Sequence, residues 1–390
     1  MKIGIYGGTF DPPHIGHLSA AAAAVNMLGI DRLIMIPDAA PPHKEMSSLS
    51  ASGGDRLNML KLAAKYVPNA CVSGMELHRG GKSYSYDTIC EIKAANPDDD
   101  VYMFIGTDML LTFDEWYRYS DIFKICDIAV FARKSGDTDE IEKKAAFFRE
   151  KFGAEIHIVY NDAVDISSSK LREDLSRREG GQYLPREVYA YITERKLYEI
   201  KPSFDYLRTA ACEMLTPKRT RHVMGCEAEA VSLAKRWGAD TEKAREAAIL
   251  HDITKNLNLN DQLILCDKYD IMTDIAERSD EKLLHAKTGA AVAKARFSVC
   301  DEVYDAIFWH TTGRAEMSLL EKIIYLADYI EPSRDFEGLN KLRLLSYTNI
   351  DEAMILGLEM SLEDMCERGI VPHRRTSEAL RYFKENIGKG

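Results

Sequence analysis

At 390 residues the chain is longer than one hydrophobic core usually organises, so two domains are expected. Hydrophobic residues make up 46% and charged residues 29%, a globular composition that excludes long disordered spans. The formal net charge of -11 excludes a broad basic surface for nucleic acid, so any phosphate chemistry belongs in a local pocket.

The first half alternates in character. Short apolar runs, KIGIYG (2–7), RLIMIP (32–37), VYMFIG (101–106), IAVFAR (128–133) and IHIVYN (156–161), predict buried parallel strands. Between them, HLSAAAAAVNMLG (17–29), GGDRLNMLKLAAKYV (53–67) and YDTICEIKAAN (86–96) carry helical patterns. Alternating β and α elements imply an α/β doubly wound parallel sheet. After Tyr198 the strand signal stops, Pro202 punctuates a short linker over 199–203, and residues 204–390 read as an all-α domain. Its helical stretches include FDYLRTAACEML (204–215), HVMGCEAEAVSLAKRWG (222–238), KAREAAILHDITK (243–255), AKTGAAVAKARF (286–297), LLEKIIYLADYI (319–330) and IDEAMILGLEMSLEDMCERG (350–369).

The opening MKIGIYGG has neither a basic leader nor an apolar core, and no run approaches about eighteen uninterrupted apolar residues. A cytoplasmic location without membrane contact is the expectation. The eight cysteines, Cys71, Cys90, Cys126, Cys212, Cys226, Cys266, Cys300 and Cys366, form no CxxC pair and read as small buried hydrophobes.

Two constellations carry chemistry. In GGTFDPPHIGH (7–17), Gly7 and Gly8 let backbone amides approach a phosphate, and the helix that follows offers unpaired N–H groups and a positive dipole end. His14 and His17, three apart, can face one anion. The later string ISSSKLR (166–172) opens a helix with hydroxyl caps; Ser167 and Ser168 with nearby amides can cradle β- and γ-phosphates, and Arg172 can bind them bidentately.

Together these strings resemble the HxGH and ISSTxxR signatures of the nucleotidyltransferase superfamily. Within it, residues 1–198 resemble the nicotinate mononucleotide adenylyltransferases, on PPHK (41–44), SYSYDT (83–88), IGTDML (105–110) and DEWY (114–117). Phosphopantetheine adenylyltransferases share the fold but typically carry threonine where His14 stands. Ser169 stands where the family usually has threonine, which keeps the hydroxyl. The resemblance implies AMP transfer from ATP to nicotinate mononucleotide with Mg2+ on the phosphates. It assigns His14, His17, Lys44 and Arg172 to catalysis, and Gly7, Gly8, Thr9, Phe10, Gly106, Asp108, Ser167 and Ser168 to ATP. Tyr86, Thr88, Trp116 and Tyr117 fall to the nicotinate nucleotide, although Trp116 also reads as a plain core aromatic.

The second constellation is spread over the helical half: His222, His251 with Asp252, His285, His310, and Asp328 inside an apolar helix where a carboxylate is costly unless paired or bound to metal. The order H, HD, H, H, D resembles the HD-domain metal-dependent phosphohydrolases, and the two extra histidines imply two metals. Imidazole and carboxylate ligands suit Fe, Mn or Zn, with Asp252 able to bridge and to act in catalysis. AILHDITK, FWHTTGR and YLADYIEPSRDFEG further resemble the bacterial HD hydrolases that split diadenosine tetraphosphate into two ADP. That implies two divalent ions, iron first and manganese second, and Lys255, Arg314 and Arg334 as phosphate binders that otherwise read as surface charges. Open alternatives are a helical domain that only binds nucleotides as a regulatory module, or one that acts on other nucleotides. His78, His157 and His373 match no motif, and homo-oligomerisation stays open.

Overall fold

The computed structural model describes residues 1–39, 47–133, 138–161, 164 and 166–386, in two compact units, Met1–Lys201 and Pro202–Gly390. PPHK, and with it Lys44, lies outside the described residues.

In the first unit six strands, β1 (Lys2–Gly8), β2 (Arg32–Pro37), β3 (Ala70–Val72), β4 (Asp100–Gly106), β5 (Asp127–Arg133) and β6 (Ile156–Asn161), pair in parallel in the order β3-β2-β1-β4-β5-β6. All five apolar runs of the sequence are strands. Their apolar character is nearly continuous because helices cover both faces of a parallel sheet; Ile3, Ile5, Met103, Ile105, Ile128 and Val130 all lie in one core. The helices are α1 (Ile15–Leu28), α2 (Gly53–Ala63), α3 (Ser85–Ala95), α4 (Thr138–Phe152), α5 (Ser168–Leu175) and α6 (Arg186–Glu194), with shorter turns between. The strand order reverses between β1 and β4, and open α/β sheets bind ligands in the crevice at the carboxyl ends of the strands there. Gly7 and Gly8 end β1, and Gly106 ends β4.

The second unit is helical throughout its described residues: α7 (Phe204–Met214), α8 (Pro217–Trp237), α9 (Thr241–Leu250), α10 (Leu259–Lys268), α11 (Glu281–Phe297), α12 (Asp301–Trp309), α13 (Leu319–Ile330), α14 (Leu339–Thr348), α15 (Ile350–Glu367) and α16 (Arg374–Asn386). Its core mixes small residues that allow close helix approach, such as Ala230, Ala247 and Ala290, with Ile307, Ile323, Leu326 and Met354. The helical pattern over 243–255 predicts a continuous helix, but α9 stops at Leu250 and His251 to Asn256 form turns. Local hydrogen bonds replace the helical ladder: the Lys255 amide donates to the Asp252 carbonyl at 2.8 Å, and the Thr254 hydroxyl donates to the His285 carbonyl at 2.8 Å. Gly289 lets α11 approach this turn, since a Cβ there would stand 3.2 Å from the His251 carbonyl oxygen. No helix among the described residues is long and apolar enough to cross a membrane.

Candidate functional site

In the first unit, α1 begins directly after the GGTFDPP loop, with His14 at its N-cap and His17 in its first turn. The two imidazoles lie 3.7 Å apart between ring centroids. The His14 amide donates to His17 Nδ1 at 3.2 Å, so Nδ1 is the acceptor and the ring proton sits on Nε2, available to a phosphate oxygen. Burial pulls His14 down to about 4 and, with the neighbouring His14 charge, holds His17 well below its ordinary value. Both rings are therefore neutral donors near pH 7. His14 Nδ1 is buried with no partner among the described residues. Gly16 leaves room for the His14 ring, since a Cβ there would stand 3.0 Å from His14 Nδ1 and push the ring aside by a few tenths of an ångström.

The ISSSKLR segment meets this loop. Ser167 caps α5, accepting from the Lys170 amide at 3.2 Å; the Ser168 hydroxyl donates to the Pro12 carbonyl at 3.0 Å. Arg172 Nη1 donates to the Asp11 carbonyl at 2.6 Å and stands 3.4 Å from the Asp11 carboxylate. Arg172, which the sequence assigns to phosphates, thus spends half of its guanidinium on positioning the loop, leaving Nη2, 3.3 Å from the Ser169 hydroxyl. Three further residues fix the loop and carried no sequence signal. Buried Arg56 donates to the Thr9 carbonyl at 2.9 Å and pairs with Asp38 at 3.1 Å, the Thr9 hydroxyl donates to Asp38 at 3.0 Å, and the Tyr198 hydroxyl donates to buried Asp11 at 2.7 Å. Phe10, in a left-handed conformation at φ 47°, turns its ring inward against Tyr6 and His17, so only its backbone faces the crevice. Asp108 is exposed at the start of the helical turn after Gly106.

The residues assigned to the nicotinate nucleotide divide. Trp116 lies stacked on Phe113 at 4.9 Å and partly buried, so one of its faces belongs to the core. Tyr117 is exposed, 4.9 Å from the ring of Tyr84 and 6.2 Å from that of Tyr86, which also carries the Arg118 guanidinium at 4.1 Å. Thr88 is fully engaged: its hydroxyl donates to Glu76 at 2.7 Å and accepts from Arg79 at 3.1 Å. Its place is to support the helix, not to face a ligand.

In the second unit the dispersed histidines and aspartates converge. His222 comes from α8, His251 and Asp252 from the turn after α9, His285 from α11, His310 from the end of α12 and Asp328 from α13. The two oxygens of Asp252 face different partners. Oδ1 lies 3.2 Å from His285 Nε2 and 3.7 Å from His310 Nε2; Oδ2 lies 3.4 Å from His251 Nε2 and 3.7 Å from His222 Nε2. His222 Nε2 is also 3.1 Å from Asp328 Oδ1. A helix would have splayed His251 and Asp252 about 100° apart; the turn turns both inward.

The surroundings leave these rings able to act as ligands. His251 Nδ1 donates to the Ala248 carbonyl at 2.7 Å and His310 Nδ1 to the Ile307 carbonyl at 2.6 Å; a carbonyl only accepts, so each Nε2 keeps its lone pair. His222 Nδ1 stands 3.0 Å from buried Glu331, with the same consequence. His251 Nε2 is buried, 3.4 Å from Asp252 Oδ2 and without a well-formed hydrogen bond among the described residues. An orphaned imidazole lone pair amid two carboxylates and three more imidazoles fits divalent transition cations. Burial opposes ionisation of Asp252 and Asp328, but the facing histidines outweigh it and hold both carboxyls well below their ordinary value. Burial and the nearby Lys255 ammonium pull His285 down to about 4, leaving it neutral.

A cavity of about 700 Å³ opens beside this cluster, lined by His310 and Asp328 together with Lys255, Arg334 and Arg368. Of the three cations expected to bind phosphate, Lys255 and Arg334 line it. Arg314 does not: it is bound bidentately to buried Glu321 at 2.6 and 3.0 Å. Arg219, which belongs to no motif in the sequence, pairs with Asp252 Oδ2 at 2.9 Å. His373, with no motif of its own, is buried 3.0 Å from Asp274 in a network that includes Glu277 and Lys287.

A doubly wound sheet with the GGTFDPPHIGH and ISSSKLR loops meeting at its switch point, and a helical unit with an H, HD, H, H, D cluster, match a two-part nucleotide enzyme class. Family models agree: Cytidylyltransferase-like matches residues 5–174 and HD domain matches 219–333. A probable nicotinate-nucleotide adenylyltransferase of Trichlorobacter lovleyi is 35% identical over 51% of this chain and 100% of its own length. A probable nicotinate-nucleotide adenylyltransferase/Ap4A hydrolase of Mycoplasma genitalium is 29% identical over 92% of this chain and 97% of its own. A solved structure, a predicted HD superfamily hydrolase involved in NAD metabolism from Clostridium acetobutylicum, is 34% identical over 47% of this chain and 98% of its own, with a TM-score of 0.46. The chain belongs to the nicotinate-nucleotide adenylyltransferase family, with an HD domain in its second unit.

Proposed function

We propose that the chain is bifunctional. The first unit transfers AMP from ATP to nicotinate mononucleotide, giving nicotinate adenine dinucleotide and pyrophosphate in NAD biosynthesis; the second cleaves diadenosine tetraphosphate to two ADP. The first reading is supported by His14 and His17 at the N-terminus of α1, beside a loop tied to ISSSKLR at the sheet's switch point. In the transfer, an oxygen of the acceptor phosphate bonds to the α-phosphorus of ATP as the bond to pyrophosphate breaks. The chain's part is positioning and charge stabilisation. The Nε2–H of His17 and the N-terminal amides of α1 and α5 meet the phosphates, and Arg56, Asp11 and Tyr198 hold the glycine loop against them. The His, Cys, Asp and Glu groupings able to hold an ion fall in the second unit among the described residues, so Mg2+ fits the first site as a companion of the triphosphate.

The hydrolase reading rests on Asp252, whose two oxygens each face a different pair of imidazoles. His222, His251 and Asp328 would hold one divalent cation, His285 and His310 the other, with Asp252 shared. Such a pair, when bound, lowers the pKa of a water and neutralises phosphate charge. Lys255 and Arg334, on the cavity wall, orient the polyphosphate, and the cavity takes one nucleoside end. The full-length chain tests both halves. His14→Ala is expected to slow nicotinate adenine dinucleotide formation at least about 10²-fold, and Asp252→Ala to slow ADP release from diadenosine tetraphosphate, with Mn2+ or Fe2+ supplied, at least about 10³-fold. Nucleotide binding by the second unit without any ADP release would make it a regulatory module instead.

A further inference from the structure

Cys226 lies one turn beyond His222 on α8, so both side chains share a helix face. Its Sγ is 3.5 Å from His222 Nε2, the nitrogen that also faces Asp328 Oδ1 at 3.1 Å while Nδ1 contacts Glu331. The candidate ligand atoms of His222, Cys226, His251 and Asp328 all lie within 4.8 Å of one another, and Cys226 is 1% exposed. The cysteine therefore faces an ion position, not merely the core where its isolated occurrence in the sequence would place it. With metal–sulfur and metal–nitrogen distances of about 2.3 and 2.1 Å, two donors of a tetrahedral ion stand about 3.6 Å apart; the observed Sγ to Nε2 spacing matches that edge.

We propose that Cys226 is a metal ligand, adding one soft sulfur to the donors His222, His251 and Asp328, so that the two ion positions differ in chemistry. The inference rests on reading the cluster as a two-ion centre. On binding, the S–H bond gives way to a sulfur–metal bond, the proton leaves to solvent, and no oxidation state changes. The position on the Asp252 Oδ1 side, among His285 and His310, is served by nitrogen and oxygen. The sulfur-bearing position favours thiophilic cations such as Zn2+, Cd2+ or Co2+ over Mn2+.

Titration of the chelator-stripped full-length chain with Co2+, without oxygen, separates the outcomes. The expected result is visible ligand-field absorption together with a near-ultraviolet sulfur-to-cobalt band that saturates at one equivalent of the two bound. Cys226→Ser and Cys226→Ala should lose that band while still binding two Co2+. In the serine variant, which preserves size, the preference for Cd2+ over Mn2+ should fall at least about tenfold. Two Co2+ bound by the native chain without a sulfur band, or a band that survives in Cys226→Ala, overturns the cysteine ligand and leaves the two-ion centre standing. No Co2+ uptake at all overturns the centre and the cysteine ligand together.

Discussion

At the scale of single residues, the groups that could be read from sequence are those in a spaced pattern. His14 and His17, or His222, His251, Asp252, His285, His310 and Asp328, announce themselves by type and order. The residues that hold them do not. Arg56 and Tyr198 stand outside any motif, and Asp11, Thr254 and Glu331, though inside motif strings, have partners distant in sequence, so no spacing reports the contacts of any of them. Two predictions follow from such contacts. Tyr198→Phe removes a donor from buried Asp11 and should cost the first unit about 1–3 kcal/mol, roughly 3–8 °C in its melting temperature; an unchanged transition in calorimetry would show the contact to be idle. His14 bears on pH. Its folded value, about 4, lies below the unfolded 6.5, so the unfolded state binds its proton first. Its contribution of about 3 kcal/mol is complete above pH 6.5 and drains away as pH falls toward 4. In His14→Gln the acid-side fall in urea midpoint, followed by hydrogen exchange of the β1 amides, should become shallower by that amount.

At the scale of elements, strands proved more legible than helix ends. RLIMIP matches β2 residue for residue, because a strand buried on both faces is simply a run of apolar residues, and IHIVYN matches β6 although that strand lies at the sheet edge and is only partly buried. The edge strand β3 escaped, since Ala70–Val72 is too short to form a run. The end of α9 escaped for a different reason. Apolar periodicity continues through Ile253, and it is side-chain and backbone bonding from α11 that turns the chain at Leu250. Helix α8 offers a test of how an element positions a ligand. A Cβ at Gly225 would stand 2.6 Å from Glu331 Oε2, the carboxylate that orients His222. Gly225→Ala should be neutral or favourable to the helix itself, by up to about 1 kcal/mol, yet displace Glu331 and weaken divalent cation binding about ten- to hundredfold. Competition with a chromophoric chelator measures the second effect, and equal affinity in both proteins would dismiss Glu331 as the orienting group.

At the scale of the whole molecule, composition and the switch from alternating to purely helical pattern near residue 200 indicated two bodies, and the chain does divide into Met1–Lys201 and Pro202–Gly390. Each has its own hydrophobic core. The cluster of the second unit is an electrostatic liability without cations, because it places Asp252 and Glu331 together with imidazole lone pairs away from water, beside half-buried Asp328. Cations that bind only the folded cluster stabilise it by mass action, about 2.7 kcal/mol at a hundredfold excess over the dissociation constant. Calorimetry of the full chain should therefore show two transitions. Excess chelator should lower one of them by roughly 5–10 °C, and Asp252→Ala should abolish that response. The transition of the first unit should move instead with ATP and Mg2+ added together, on the proposed transferase reading. A chelator that shifts both transitions equally, in the absence of nucleotide, would contradict the assignment of the ion-dependent stability to the helical unit.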